Sequence, residues 1–108
     1  MNKQIIDALK NLGVPVEFQT YPGAETTYIT FFNYLENQGY FEDDEATIGS
    51  SYIQVDVWTK GDYTTLVKNV LEALKTAGFR RTYVTETYED DTKLYHKIIR
   101  VKKSEEII

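Results

Sequence analysis

A chain of 108 residues, 42% of them apolar or aromatic, has the length of one domain and side chains enough for one modest core. It has no cysteine, which excludes a disulfide framework, a thiolate metal site and a cysteine nucleophile and leaves stability to packing. The formal net charge of −5 argues against sequence-independent nucleic-acid binding, which needs a Lys/Arg surface to displace phosphate counterions, and no apolar run approaches the roughly 20 residues of a membrane span.

The first predicted element covers residues 2–12, an amphipathic helix in which Ile5, Ala8, Leu9 and Leu12 share a face, Ile6 borders it and Gly13 is the stop. Its expected packing partner is the sheet. The opening MNKQIIDALK lacks the continuous apolar segment of a signal peptide, so a soluble cytosolic chain is expected. Val14-Pro15-Val16-Glu17-Phe18 predicts a brief edge strand, since proline cannot donate to a central ladder, and Tyr21-Pro22-Gly23 predicts a turn. Residues 26–35 carry the β-branched and aromatic side chains of a strand. Tyr28, Thr30, Phe32 and Tyr34 lie on one face, and Thr27, Ile29, Phe31 and Leu35 nearer the other. Residues 36–50 break the pattern: Glu36, Glu42, Asp43, Asp44 and Glu45 surround a Tyr40-Phe41 pair, which predicts a mobile acidic loop rather than a tight turn.

The stretch 51–79 organises the rest. Ile53, Val55 and Val57 alternate with Gln54 and Asp56, the period-two signature of a strand with one buried face. After Lys60-Gly61-Asp62 the period changes to Leu66, Val67, Val70, Leu71, Leu74 and Ala77, a stripe at helical spacing, with Asp62 placed to cap the first turn. Gly78 supplies the left-handed residue after the last turn, and Phe79 can fold back onto it. Ile53, Val55, Val57, Val70, Leu71 and Leu74 are expected to be buried together. Residues 80–89 and 93–103 then read as a hairpin around Asp90-Asp91-Thr92, and 104–108 as a flexible tail without a partner. The order α-β-β-β-α-β-β predicts a single α+β domain over 1–108, with two helices on one face of a mostly antiparallel sheet of about five strands; a sheet split in two by the long loop is the alternative.

Catalytic chemistry finds little footing. The one histidine, His96, excludes a two-histidine metal site; its position between cations on a strand predicts a partly exposed residue with no orienting partner in view. Asp43, Asp44 and Glu45 lack the central glycine and terminal glutamate of a Ca²⁺ loop, and Asp90-Asp91 reads as a soluble turn. No phosphate-cradling glycine loop or nucleophile elbow occurs. An anion at Tyr63, Thr64 and Thr65 would be repelled by Asp62. No enzyme, cofactor or metal is expected.

Two features point to association. Nine tyrosines and five phenylalanines exceed what one core of this size hides, and such aromatics favour interfaces. The hairpin gathers Arg80, Arg81, Lys93, Lys97, Arg100, Lys102 and Lys103, while the 36–45 stretch is acidic; opposite charges on separate segments allow head-to-tail stacking.

Tyr52-Ile53-Gln54-Val55-Asp56-Val57-Trp58, the Leu66-Val67, Val70-Leu71 and Leu74 helix, Ala77-Gly78-Phe79-Arg80-Arg81, and the hairpin with Tyr88-Glu89-Asp90-Asp91-Thr92, His96-Lys97 and Arg100 together resemble the small tail-completion or tail-terminator proteins of long-tailed bacteriophages and prophages. The resemblance covers most of the chain and rests on its strand-helix-hairpin order; the acidic loop varies within the family. It implies a non-enzymatic subunit of a ring, typically hexameric, that caps the tail tube and docks the head connector. Its partners would be further copies of itself, the tail tube protein and head connector proteins, with no nucleic acid or membrane. Its locations would be the bacterial host cytoplasm during assembly and then the virion tail, with a monomer in solution if the ring closes only on the tail. The candidate interface is Tyr40, Phe41, Asp43, Asp44 and Glu45 of one copy against Arg100, Lys102 and Lys103 of the next, with an aromatic seam through Tyr40, Phe41 or the 28–34 face as the competing account. A small cytosolic binding or regulatory domain, with an aromatic groove for a peptide or small molecule, is the alternative function.

Overall fold

A computed structural model describes residues 2–37 and 48–106. In chain order these form α1 (Asn2–Leu9), β1 (Val16–Phe18), β2 (Tyr28–Asn37), β3 (Ile48–Thr59), α2 (Thr64–Thr76), β4 (Arg80–Glu89) and β5 (Leu94–Glu106), the predicted α+β order. The sheet runs β1-β2-β3-β5-β4. β1 and β2 pair in parallel; β2 with β3, β3 with β5 and β5 with β4 are antiparallel.

Alternation along the strands sorts their side chains onto two faces. One face carries Ile29, Phe31, Ile53, Val55, Val57, Ile99 and Val101, all buried beneath Ile5 and Leu9 of α1 and Val67, Val70 and Leu74 of α2. Both helices therefore cover the same face. Among the described residues no helix covers the other face. α1 lies beside α2 and the short β1, and its Ile5 and Leu9 join the same buried cluster as the sheet residues, the packing expected of it. It also ends at Leu9, three residues early: the Leu12 amide donates to the Leu9 carbonyl at 3.2 Å in a tighter turn, and Gly13 takes φ +84°.

The cap readings hold in atomic detail. The Thr64 amide donates to Asp62 Oδ1 at 2.9 Å, so Asp62 satisfies one orphan donor of α2. At the other end the Ala77, Gly78 and Phe79 amides donate to the Ala73, Lys75 and Leu74 carbonyls, and Gly78 sits at φ +94°. A Cβ added at Gly78 would also stand 3.3 Å from Lys103 Cε. Gly78→Ala is expected to lose about 1 to 2 kcal/mol in urea unfolding, the cost of a left-handed backbone at an L residue.

Several boundaries differ from the sequence reading. Leu71 is only partly buried at the margin of the core, since the stripe from Leu66 to Ala77 is wider than the sheet contact and α2 turns that edge toward β4. The expected loop is shorter at both ends: Glu36 and Asn37 pair with Ser51 and Ser50, and β3 starts at Ile48. The tail from Ser104 to Glu106 is not free but continues β5 against Ile48 to Ser50, with the Ser50 and Ser104 hydroxyls 3.2 Å apart. The long antiparallel register simply runs on past the apolar residues that advertised it. The centre of the expected loop, 38–47, lies outside the described residues.

Candidate interaction surfaces

The helix-free face of the sheet is built from Tyr28, Thr30 and Phe32 of β2, Gln54, Asp56 and Trp58 of β3, and His96, Ile98 and Arg100 of β5. Antiparallel register sets Trp58 opposite His96 and Asp56 opposite Ile98, so the carboxylate lies diagonal to the imidazole. Within the hairpin Glu89 occupies the other diagonal. The result is a polar ladder. His96 Nε2 lies 2.6 Å from Asp56 Oδ1 and Nδ1 lies 3.2 Å from Glu89 Oε1; Gln54 Nε2 donates to Asp56 Oδ1 at 2.8 Å, and Arg100 Nε donates to Gln54 Oε1 at 3.1 Å.

Aromatic rings run across the ladder. Tyr21 stacks on Tyr28 at 4.5 Å, Tyr28 on Trp58 at 6.0 Å, and Trp58 on the His96 ring at 3.7 Å, while the indole N–H donates to Thr30 Oγ1 at 3.1 Å. These lateral contacts bury Asp56 (4% exposed), Thr30 (5%) and His96 (9%) on a face that no helix covers. His96 is thus neither partly exposed nor without an orienting partner. Burial disfavours the charged imidazole, but the hydrogen bonds to Asp56 and Glu89 outweigh it and its pKa lies above the ordinary value. Both ring nitrogens can donate to carboxylates only in the protonated form, and the Trp58 face favours that cation further.

At the start of α2 the Tyr63 hydroxyl donates to Glu86, which also accepts from Lys97 Nζ at 3.2 Å. That bond to Glu86 pushes the Tyr63 phenol up to about 12. Asp62 and Glu86 thereby place carboxylates where an anion would have to sit.

Of the candidate interface residues, Tyr40, Phe41, Asp43, Asp44 and Glu45 lie outside the described residues. The three cations do not form one patch. Arg100 and Lys102 project from the helix-free face, the guanidinium 4.5 Å from the Tyr34 ring and 5.8 Å from Tyr83, the ammonium 5.5 Å from Tyr52. Lys103 projects from the helix face, donating to Gln4 Oε1 and to the Ala77 carbonyl, both at 3.0 Å, and lying over Phe79. There it neutralises the carbonyl end of α2.

Sequence reasoning missed a groove of about 560 Å³ between the last turns of α2 and the start of the hairpin. Leu71, Leu74, Phe79 and Val101 line its floor, and Lys75, Arg80, Arg81 and Glu72 its rim. The half-buried Leu71 was its one available signal. Beside it, β4 is an edge strand with one side of its backbone unpaired in the sheet and with Tyr83 and Tyr88 exposed.

No protein-family model matches the sequence, and no curated protein matches it. Among solved structures, a chain of the virion of a native gene transfer agent particle superposes with a TM-score of 0.67 at 13% identity, over 94% of this chain and 91% of that one. The likeness is one of fold. It runs through nearly the whole of both chains.

Proposed function

We propose that this chain is a structural subunit of a phage-like virion, a tail-terminator or tail-completion protein that forms a ring at the head-tail junction. The observation that carries the reading is the fold shared, almost end to end, with a chain of a gene transfer agent virion. The subunit works through surfaces rather than chemistry: His96, the residue best suited to proton transfer, is held between two carboxylates and stacked on an indole. A ring closed by rotation needs two different patches on each subunit. The β4 edge with its cationic groove and the aromatic helix-free face are two such patches. The partners are further copies of the chain, the tail tube protein and the head connector proteins. The alternative of an aromatic groove for a small ligand is less well supported, since among the described residues Phe79 is the one aromatic lining the groove described above.

The test is electron microscopy and sedimentation of the purified protein, alone and with tubes assembled from a phage tail tube protein. Rings, or caps of one subunit layer on tube ends, are expected. A protein that stays monomeric at high concentration and leaves tube ends bare would overturn the reading.

A further inference from the structure

We infer that the groove at the C-terminal end of α2 is the seat for the hairpin tip of a neighbouring copy, with Tyr88 and Tyr95 laid on the apolar floor and Asp90 and Asp91 meeting Lys75 and Arg81. The inference rests on the ring reading and gives the groove its counterpart on the next subunit. Arg81 stands opposite Val101 and so on the groove's side of the sheet; the side chain of Arg80, opposite Lys102, belongs to the helix-free face. The groove's cations are therefore Lys75 and Arg81, both exposed and without an ion pair among the described residues. Beside them lies the floor of Leu71, Leu74, Phe79 and Val101.

The tip carries the matching chemistry. Tyr88 and Tyr95 pair across the hairpin on the helix side of the sheet, their rings 5.1 Å apart, and Tyr95 packs against Tyr63 at 5.9 Å. They are 45% and 41% exposed, an aromatic pair already held in place and open to solvent, which supplies contact area at low entropic cost. Asp90 and Asp91 follow in the turn, exposed and without an ion pair among the described residues. The minority charges agree as well: exposed Lys93, beside the aspartates, answers Glu72 on the groove rim and so fixes the direction in which the tip lies. Seat and tip stand at opposite ends of β4, which runs from Arg80 to Glu89, and are about 30 Å apart at roughly 3.3 Å per residue. A chain therefore cannot fill its own seat. Each copy offers one seat and one tip, the heterologous pairing from which rings are closed.

The test is a charge swap. Lys75→Glu with Arg81→Glu makes the seat acidic; Asp90→Lys with Asp91→Lys makes the tip basic. Each variant alone is expected to self-associate at least about tenfold more weakly than the parent while its thermal midpoint stays within a few degrees, because exposed charges steer association and contribute little to folding. An equimolar mixture is expected to regain assembly, since each acidic seat then meets a basic tip and each basic seat an acidic one. Variants that assemble like the parent, or a mixture that stays dissociated, would overturn the inference.

A second measurement needs no charge reversal and separates this inference from the ring itself. The chain has no cysteine, so Thr92→Cys carries a single nitroxide in the turn and keeps both aspartates. Mixed with an ¹⁵N-labelled copy that bears no nitroxide, it is expected to broaden the amides of Leu71, Lys75 and Arg81 in that copy. Broadening at other amides only, or none at all, would overturn the inference. Rings without broadening at the seat refute the seat alone, and broadening at the seat without rings refutes the ring alone.

Discussion

Phe31→Ala is expected to remove roughly 3 to 5 kcal/mol of unfolding free energy, the range for truncating a packed aromatic. Among the described residues Phe31 is the largest fully buried side chain; it stands opposite Val55 in the sheet and packs its ring 5.5 Å from Phe18. It therefore ties the short parallel β1 to the core, and the cavity left by alanine cannot collapse without shifting α1 or β1. A domain of this size has about 5 to 15 kcal/mol in total, so the variant should unfold at a small fraction of the parent's urea midpoint. Phe32→Ala, one residue along and half-exposed on the other face, is the control. Equal losses at the two positions would mean that the helix-free face is as tightly packed as the core, contrary to the assigned sidedness.

The second large effect is at His96. His96→Leu leaves Asp56 buried without its imidazolium, which should cost about 3 kcal/mol, the low end for breaking a buried pair, because Gln54 still donates to the carboxylate. The pH dependence has a definite sign. The imidazole's folded pKa is raised above an unfolded value of about 6.5, so the charged state's contribution is complete below that value and is lost as pH rises through the folded pKa. The stability gap between parent and His96→Leu should therefore be widest at mildly acidic pH and narrow toward pH 8 and above. Thermal or urea unfolding of both proteins across that range measures it, and a gap independent of pH would show that His96 is not charged in the fold.

The central strand, α2 and the hairpin were legible because each obeys one period: Ile53, Val55 and Val57 alternate, Val67, Val70 and Leu74 recur at helical spacing, and Gly78 can take a backbone conformation that closes the helix. Leu71 shows the limit of that reading. Periodicity gives the direction of an apolar stripe but not how far the neighbouring sheet extends beneath it, and here the sheet margin turns the stripe's edge into a groove. His96 shows another limit. Its closest partners come from Asp56 and Trp58, far upstream, and only the register of β3 against β5 brings them together. Glu89 was within reach, since a hairpin closing at Glu89 and Leu94 sets it diagonal to His96. The helix-free face meets the same limit: alternation predicts which side chains point away from the helices, but not that Tyr28, Trp58 and His96 then shelter one another.

The sheet order also governs what the nascent chain exposes. β3 lies between β2 and β5, and α2 and β4 are synthesised before β5 arrives. At roughly 5 to 20 residues per second, a ribosome holds β3 as an open edge for a few seconds, long enough for a stray strand to add to it. Asp56 stands in the C-terminal half of that edge. Until His96 emerges to pair with it, its carboxylate makes burial against a foreign strand costly; afterwards the same carboxylate is held inside the finished sheet. One side chain thus guards the unfinished molecule and helps secure the completed one.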